Sequence, residues 1–208
     1  MERAAAAAHR KTGEITLIAV TKVFPVAVIH EAYALGLREF GESYVQEFEG
    51  KFPYVLNIKH DSRFHLIGHL QSNKARKVTE MFQVVQAVDS AKLAKRLDMC
   101  GAKLEVMIEV KLSHEQAKHG ALPEELPEVV AAIQTCPNLK LTGLMTMPPW
   151  SEDAEVARPY FARLRELAEQ YKLPHLSMGM SNDLEVAIAE GATHVRVGTA
   201  LFGKRKKL

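Results

Sequence analysis

The chain has 208 residues, 47% of them apolar and 25% charged, with a net charge of +2 at neutral pH. Those proportions exclude a disordered or fibrous chain and make one globular domain with a full core the default. No apolar run approaches the roughly 20 residues that cross a bilayer, and Met1-Glu2-Arg3 followed by five alanines is not a signal peptide, so a cytoplasmic protein without a membrane role is expected.

In chain order, residues 2–11 are predicted as an alanine-rich helix stopped by Gly13. Ile15 to Lys22 is a short apolar run rich in β-branched residues, the pattern of a strand buried on both faces of a parallel sheet, and it ends in a lysine. Pro25 to Leu35 is predicted helical, with Val28, Ile29, Ala32 and Leu35 on its apolar face and Gly36 as its stop. Leu37 to Phe40 reads as a strand entering Gly41-Glu42-Ser43-Tyr44, and Val45 to Gly50 as a helix. Phe64 to Ile67 is the third strand, and Gln71 or Ser72 opens a helix to about Met81. Phe82 to Val88 is the fourth, with Asp89-Ser90 capping a helix over Ala91 to Cys100. Leu104 to Val110 is the fifth strand, followed by a polar loop over 113–120 and a helix from Pro123 to Thr135. Leu139 to Leu144 is the sixth, followed by a long helix from Ser151 to Tyr171 with Val156, Tyr160, Leu164 and Leu167 on one face. His175 to Met178 and His194 to Val197 are the last strands, separated by a helix that Gly191 stops. Eight alternations in about 200 residues, with short connections, predict a single α/β domain, a (β/α)8 TIM-type barrel with an extra N-terminal helix.

In such a barrel the loops after the strands share one face, where ligands collect, so Lys22, Glu42, His69, Thr146, Ser181, Arg196, Gly198 and Thr199 are read together. Barrels often build a phosphate site from the loops after strands seven and eight, here Gly179-Met180-Ser181 and Gly198-Thr199. An amine on strand one facing that wall would suit a phosphorylated aldehyde held as a Schiff base. The plainer readings are a Lys22 that snorkels to a carboxylate, and a Ser181 and Thr199 that only cap helices and form turns. Arg196 inside Val195-Arg196-Val197 stays charged in an apolar strand, so it is either ion-paired or addressing a ligand. His65 and His69 are four apart on an extended segment with no further ligand at metal spacing, so no metal is expected. P-loop, Gly-x-Ser-x-Gly and dinucleotide motifs are absent, and Met145, Met147, Met178 and Met180 read as adaptable wall residues. Cys100 and Cys136 lie far apart near helix ends and read as packing residues of a reducing compartment. The basic run Lys204 to Lys207 reads as a solvated end rather than a nucleic-acid contact.

Taken together, Ala19-Val20-Thr21-Lys22, Phe40-Gly41-Glu42-Ser43-Tyr44-Val45-Gln46-Glu47, His65 to Lys74, Gly143 to Met147, Leu176 to Ser181 and Arg196 to Gly203 resemble the pyridoxal phosphate homeostasis protein family along nearly the whole chain. That family is similar to the barrel domain of alanine racemase and binds pyridoxal 5'-phosphate (PLP). The resemblance implies that Lys22 carries the cofactor as a Schiff base, that Ser181, Gly198 and Thr199 hold its phosphate, and that Arg196 faces the pyridine nitrogen. It also implies that His65, Met147 and Ser177 line the pocket, with a contact from Ser43, where family members often carry asparagine.

Arginine keeps its proton, so a pyridine nitrogen bonded to Arg196 stays an acceptor and the ring a poor electron sink. Alanine racemase manages with the same partner by adding a second base from a further domain, and this chain stops five residues after Gly203. The expectation is therefore a non-catalytic, monomeric PLP-binding protein of vitamin B6 homeostasis, with PLP-dependent apo-enzymes as recipients. Two alternatives stay open: a racemase with His65, His69 or Tyr44 as the second base, and an aldolase-type lysine acting on a phosphorylated sugar.

Overall fold

The structure, a computed structural model, describes residues 1–113, 115 and 119–203. Residues 114 and 116–118 of the loop expected over 113–120, and the basic run 204–207, lie outside the described residues. Eight strands, β1 (Thr16–Val20), β2 (Glu39–Glu42), β3 (Arg63–Leu66), β4 (Val84–Val88), β5 (Leu104–Glu109), β6 (Leu139–Met145), β7 (His175–Ser177) and β8 (His194–Val197), close into a barrel in sequence order. Every pairing is parallel, and β8 returns to β1 with Ala19 opposite Val197. This is the (β/α)8 arrangement expected from the alternation, and short parallel strands require the helical crossovers that separate them.

The helices are α1 (Glu2–Ala7), α2 (Val26–Ala34), α3 (Val45–Lys51), α4 (Ala75–Met81), α5 (Ala91–Asp98), α6 (Leu126–Gln134), α7 (Arg158–Gln170), α8 (Leu184–Ala189) and a single turn, α9 (Thr199–Phe202). Ser90 caps α5 as expected, its Oγ accepting from the Leu93 amide at 3.3 Å. Along the strands, alternate residues such as Ala19, Phe40, Phe64, Leu66, Val106, Ile108, Leu176 and Val195 pack outward against the helices in one apolar shell. In that shell Phe48 of α3 meets Phe64 at 5.0 Å and Phe82 at 4.7 Å between ring centroids. The residues between them, His65, Gln86, Met107, Glu109, Ser177 and Arg196, face the barrel axis and are buried there. Gly41 leaves room on the axis, since a Cβ there would lie 2.9 Å from Ile18 Cγ2.

Several elements differ from the expectation: β2 spans Glu39–Glu42 rather than 37–40, and α6 starts at Leu126 after a 3-10 turn over Pro123–Glu125. α1 ends at Ala7 rather than running to residue 11, because His9 turns into the left-handed region at φ 55° and Arg10 docks on α8, donating to the carbonyls of Ile188 at 3.0 Å and Ala192 at 2.7 Å. Leu35, expected on the buried face of α2, is its C-cap and is exposed. The long helix begins only at Arg158, after a 3-10 turn over Ala154–Ala157. The tighter turn shifts the phase of the face, which leaves Val156 exposed and Tyr160 half-buried and makes Ala157, Phe161, Leu164 and Leu167 the buried stripe.

Candidate functional site

β1 ends at Val20, and Thr21-Lys22-Val23 turns out over the C-terminal mouth of the barrel. The neighbours of Lys22 are held on both sides. The Thr21 hydroxyl donates to Glu42 Oε1 at 2.8 Å, and its carbonyl accepts from Lys51 Nζ at 3.0 Å. Lys51, buried at the end of α3, also donates to Glu42 Oε1 at 2.9 Å and Glu47 Oε1 at 2.5 Å. Glu47 Oε1 in turn accepts from the Val23 amide at 2.6 Å. Val23 has φ 67°, a left-handed geometry that a β-branched residue adopts only when its surroundings impose it. Burial pushes the Glu42 carboxyl up, while the Lys51 ammonium pulls it down. Half-buried Lys22 lies with its Nζ 5.9 Å from the centroid of the Tyr44 ring. Lys51 and Glu47 were not singled out in the sequence; the signal was their spacing of four along α3, next to the Gly41-Glu42 stretch.

The loops after β7 and β8 meet over the same mouth. Gly179 turns at φ 91°, where a Cβ would lie 2.5 Å from that of Ala187, and the Met180 amide donates to Asp183 Oδ1 at 2.6 Å. Ser181 Oγ accepts from the Ala200 amide at 3.2 Å, so Ser181, Gly198 and Thr199 are brought together. A Cβ on Gly198 would lie 3.2 Å from the Val20 carbonyl, which places this pair of loops beside the end of β1 that carries Lys22.

Below them Arg196 is buried to 3% exposure, donating from Nη1 to Ser177 Oγ at 2.7 Å and from Nη2 to the Thr146 carbonyl at 2.9 Å. Burial pushes its pKa down to about 10, against the pull of Glu109 and Asp183, so it remains a cation at neutral pH. The Ser177 hydroxyl donates to Gln86 Oε1 at 2.7 Å, Gln86 Nε2 meets His65 Nδ1 at 3.0 Å, and His65 Nε2 meets Glu39 Oε2 at 2.5 Å. His65 therefore joins the group two side chains removed from Arg196, deep on the axis. Burial holds its pKa below the ordinary histidine value despite Glu39.

Met147 lines a cavity of about 160 Å³ with His69, Glu109, Ser113 and His119. Burial pushes Glu109 up to about 7 against the pull of Arg196. Glu109 Oε2 and Ser113 Oγ have no hydrogen-bond partner among the described residues. His69, a candidate by its loop position, stacks on His119 at 3.6 Å and sits 3.4 Å from Asp89, with burial and His119 pushing its pKa down. Ser43 is half-buried, its carbonyl 2.4 Å from where a Cβ on Gly68 would fall, and no described hydrogen bond links its hydroxyl to the rest of the group. A wider cleft of about 710 Å³ on the outer wall, lined by Ser72, Lys92, Arg96 and Glu128, holds none of these residues. A steered amine, a buried guanidinium with N–H groups to spare and a glycine-bearing double loop suit an anionic aldehyde that carries a ring acceptor.

Comparison with known proteins agrees with that chemistry. The profile of the family described as alanine racemase, N-terminal domain, matches residues 2–206. A protein of Pseudomonas aeruginosa named pyridoxal phosphate homeostasis protein is 46% identical over 211 residues, covering 99% of this chain and 91% of its own. One of the same name from Aquifex aeolicus is 41% identical, covering 99% and 94%. The structure of PipY from Synechococcus elongatus with PLP bound is 40% identical with a TM-score of 0.85, covering 97% of this chain and 99% of that one. Alanine racemase from Corynebacterium glutamicum is 20% identical with a TM-score of 0.71, covering 98% of this chain and 59% of its own, a likeness of fold.

Proposed function

The chain belongs to the pyridoxal phosphate homeostasis proteins, within the alanine racemase N-terminal domain family, and on that premise we propose that it binds PLP reversibly through Lys22 and holds the cofactor in reserve without catalysing a reaction of its own. When bound, PLP supplies an aldehyde that condenses reversibly with primary amines, and a pyridine ring. The observation that carries the reading is the shared rim: the clamped turn that presents Lys22 lies beside the loops that Ser181 and Ala200 stitch together.

In this reading Lys22 is the amine that takes the aldehyde. Ser181, Gly198 and Thr199 hold the phosphate, the hydroxyls donating and the backbone approaching closely at Gly198, where there is no side chain to intervene. Arg196 donates to the ring nitrogen and Met147 packs on the ring, with Ser43 at the rim in place of the family's usual asparagine. Ser177 is committed to Arg196 and Gln86 and acts by holding the guanidinium. Because Arg196 does not surrender its proton, the nitrogen opposite it remains an acceptor, which leaves carbanion chemistry weakly supported and favours a carrier. The proposal extends to PLP-dependent apo-enzymes as recipients and to the cytoplasm, where two free thiols such as Cys100 and Cys136 persist.

The test is spectroscopic. Adding PLP should generate a visible band that borohydride bleaches, leaving the added mass on Lys22, and Lys22→Ala should show neither while keeping the apo fold by circular dichroism. A colourless protein that cannot be loaded would sink the reading. Conversion of L-alanine to its D form, lost in Lys22→Ala, would replace the carrier by a racemase.

A further inference from the structure

The polar side chains on the barrel axis form one continuous chain, Arg196–Ser177–Gln86–His65–Glu39, with links of 2.7, 2.7, 3.0 and 2.5 Å. Its two ends have fixed polarity. An arginine has N–H groups and no acceptor, and an ionised carboxylate has acceptors and no donor. The three members between them, a hydroxyl, a carboxamide and an imidazole, can each give one hydrogen bond and take one. With a donor at one end, an acceptor at the other and burial keeping the His65 imidazole neutral, every link points from Arg196 to Glu39. Ser177 takes from Arg196 and gives to the Gln86 carbonyl. The Gln86 amide gives to His65 Nδ1, and His65 gives from Nε2 to Glu39. The chain thus fixes the Gln86 amide orientation and makes His65 a neutral imidazole protonated on Nε2. Gln86 and Ser177 are fully buried and His65 nearly so, so water does not substitute for a missing link. The imidazole of His194 has its centroid 6.4 Å from the His65 ring and makes no described hydrogen bond with it.

We propose that this one-way chain aims the Arg196 guanidinium at the ring nitrogen of the ligand, so that Gln86 and His65 are positioning residues for cofactor binding although neither touches the cofactor. The inference rests on the reading that PLP binds at Lys22. Arg196 is pinned at Nη1 by Ser177 and at Nη2 by the Thr146 carbonyl, which sets the plane of the guanidinium and with it the directions of its remaining N–H groups. Without Gln86 the Ser177 hydroxyl loses its acceptor and is free to turn its proton toward Arg196, and the pin at Nη1 is lost.

Nitrogen-15 NMR of the apo protein reads the chain before any cofactor is added. The expected result is a His65 ring that is neutral and protonated on Nε2 at neutral pH. A ring protonated on Nδ1, or an imidazolium, overturns the proposal. Gln86→Leu should weaken PLP binding about tenfold, the effect of one lost buried hydrogen bond, and should alter the shape of the bound cofactor's visible band, which a purely structural role for Gln86 would not move. Gln86→Glu keeps the volume but offers His65 an acceptor, and should convert that ring to an imidazolium in the apo spectrum; if Gln86→Leu does not fold, Gln86→Met, which also takes the acceptor from Ser177, carries the binding and visible-band measurements. Wild-type affinity and an unchanged band in a folded Leu or Met variant overturn the positioning role. Failure of the wild-type protein to bind PLP at all refutes the function proposed above, while the His65 measurement still tests the chain.

Discussion

At the scale of single residues, Lys51 ties together the Thr21 carbonyl, Glu42 and Glu47. It fixes the carbonyl of Thr21 and, through Glu47, the amide of Val23, so it governs where Lys22 starts from. Lys51→Met leaves Glu42 buried without its cation, and a broken buried pair costs about 3 kcal/mol or more; a lowered urea midpoint checks that, and stopped-flow mixing with PLP should show slower imine formation than in the wild type. Glu47→Gln retains an acceptor for Val23 and should fall between the two. Lys22 and Arg196 were legible in the sequence because a strand end and a charge within an apolar strand are local patterns. Lys51 was not, since its spacing of four from Glu47 marks a pair along α3 but does not say that the pair folds inward onto Glu42.

At the scale of elements, the crossing from β7 through Gly179 to α8 decides whether Ser181 reaches Ala200. Gly179→Ala combines a left-handed φ of 91° with a Cβ 2.5 Å from that of Ala187. A loss of more than about 2 kcal/mol in chemical denaturation is expected, with weaker PLP binding as the loop moves away. α7 shows how far element boundaries can be read. Its apolar residues were visible, but a 3-10 turn ahead of Arg158 rotates the stripe onto Phe161, and such a turn has no strong signature in residue order. The short reach of α1 has the same origin, a tertiary bond from Arg10 that local propensity does not encode.

At the scale of the molecule, the buried ionisable groups give stability a two-sided response to pH. Glu109 has its folded pKa raised from 4.5 to about 7, so the stability it contributes is full below the lower value and is lost as pH rises through the upper one. That shift amounts to about 3 kcal/mol at most. His194, whose folded pKa burial lowers from 6.5 to about 3, has the opposite sign: its contribution is present above 6.5 and is lost as pH falls toward 3. Glu109→Gln should therefore gain on the wild type as pH rises from about 5 to about 8, and a series of urea midpoints across that range checks it. An unchanged gap between the two proteins would mean that Glu109 does not titrate in this window. The barrel itself was legible because eight alternations of strand and helix admit few closures. Its polar axis was not, because which residues of neighbouring strands meet depends on a register that appears only on closure, as with His65 beside Gly41 and Gln86 across from Ser177.

That axis has a mechanical corollary. With imidazole, carboxamide and guanidinium where many barrels carry aliphatic filling, cohesion falls to the rim, the sheath of Phe40, Phe48, Phe64 and Phe82 between sheet and helices. Hollowing the sheath should hurt more than thinning the hub: Phe48→Ala is expected to lose about 3–5 kcal/mol and Ile18→Val about 1 kcal/mol, a contrast that paired melting curves would record.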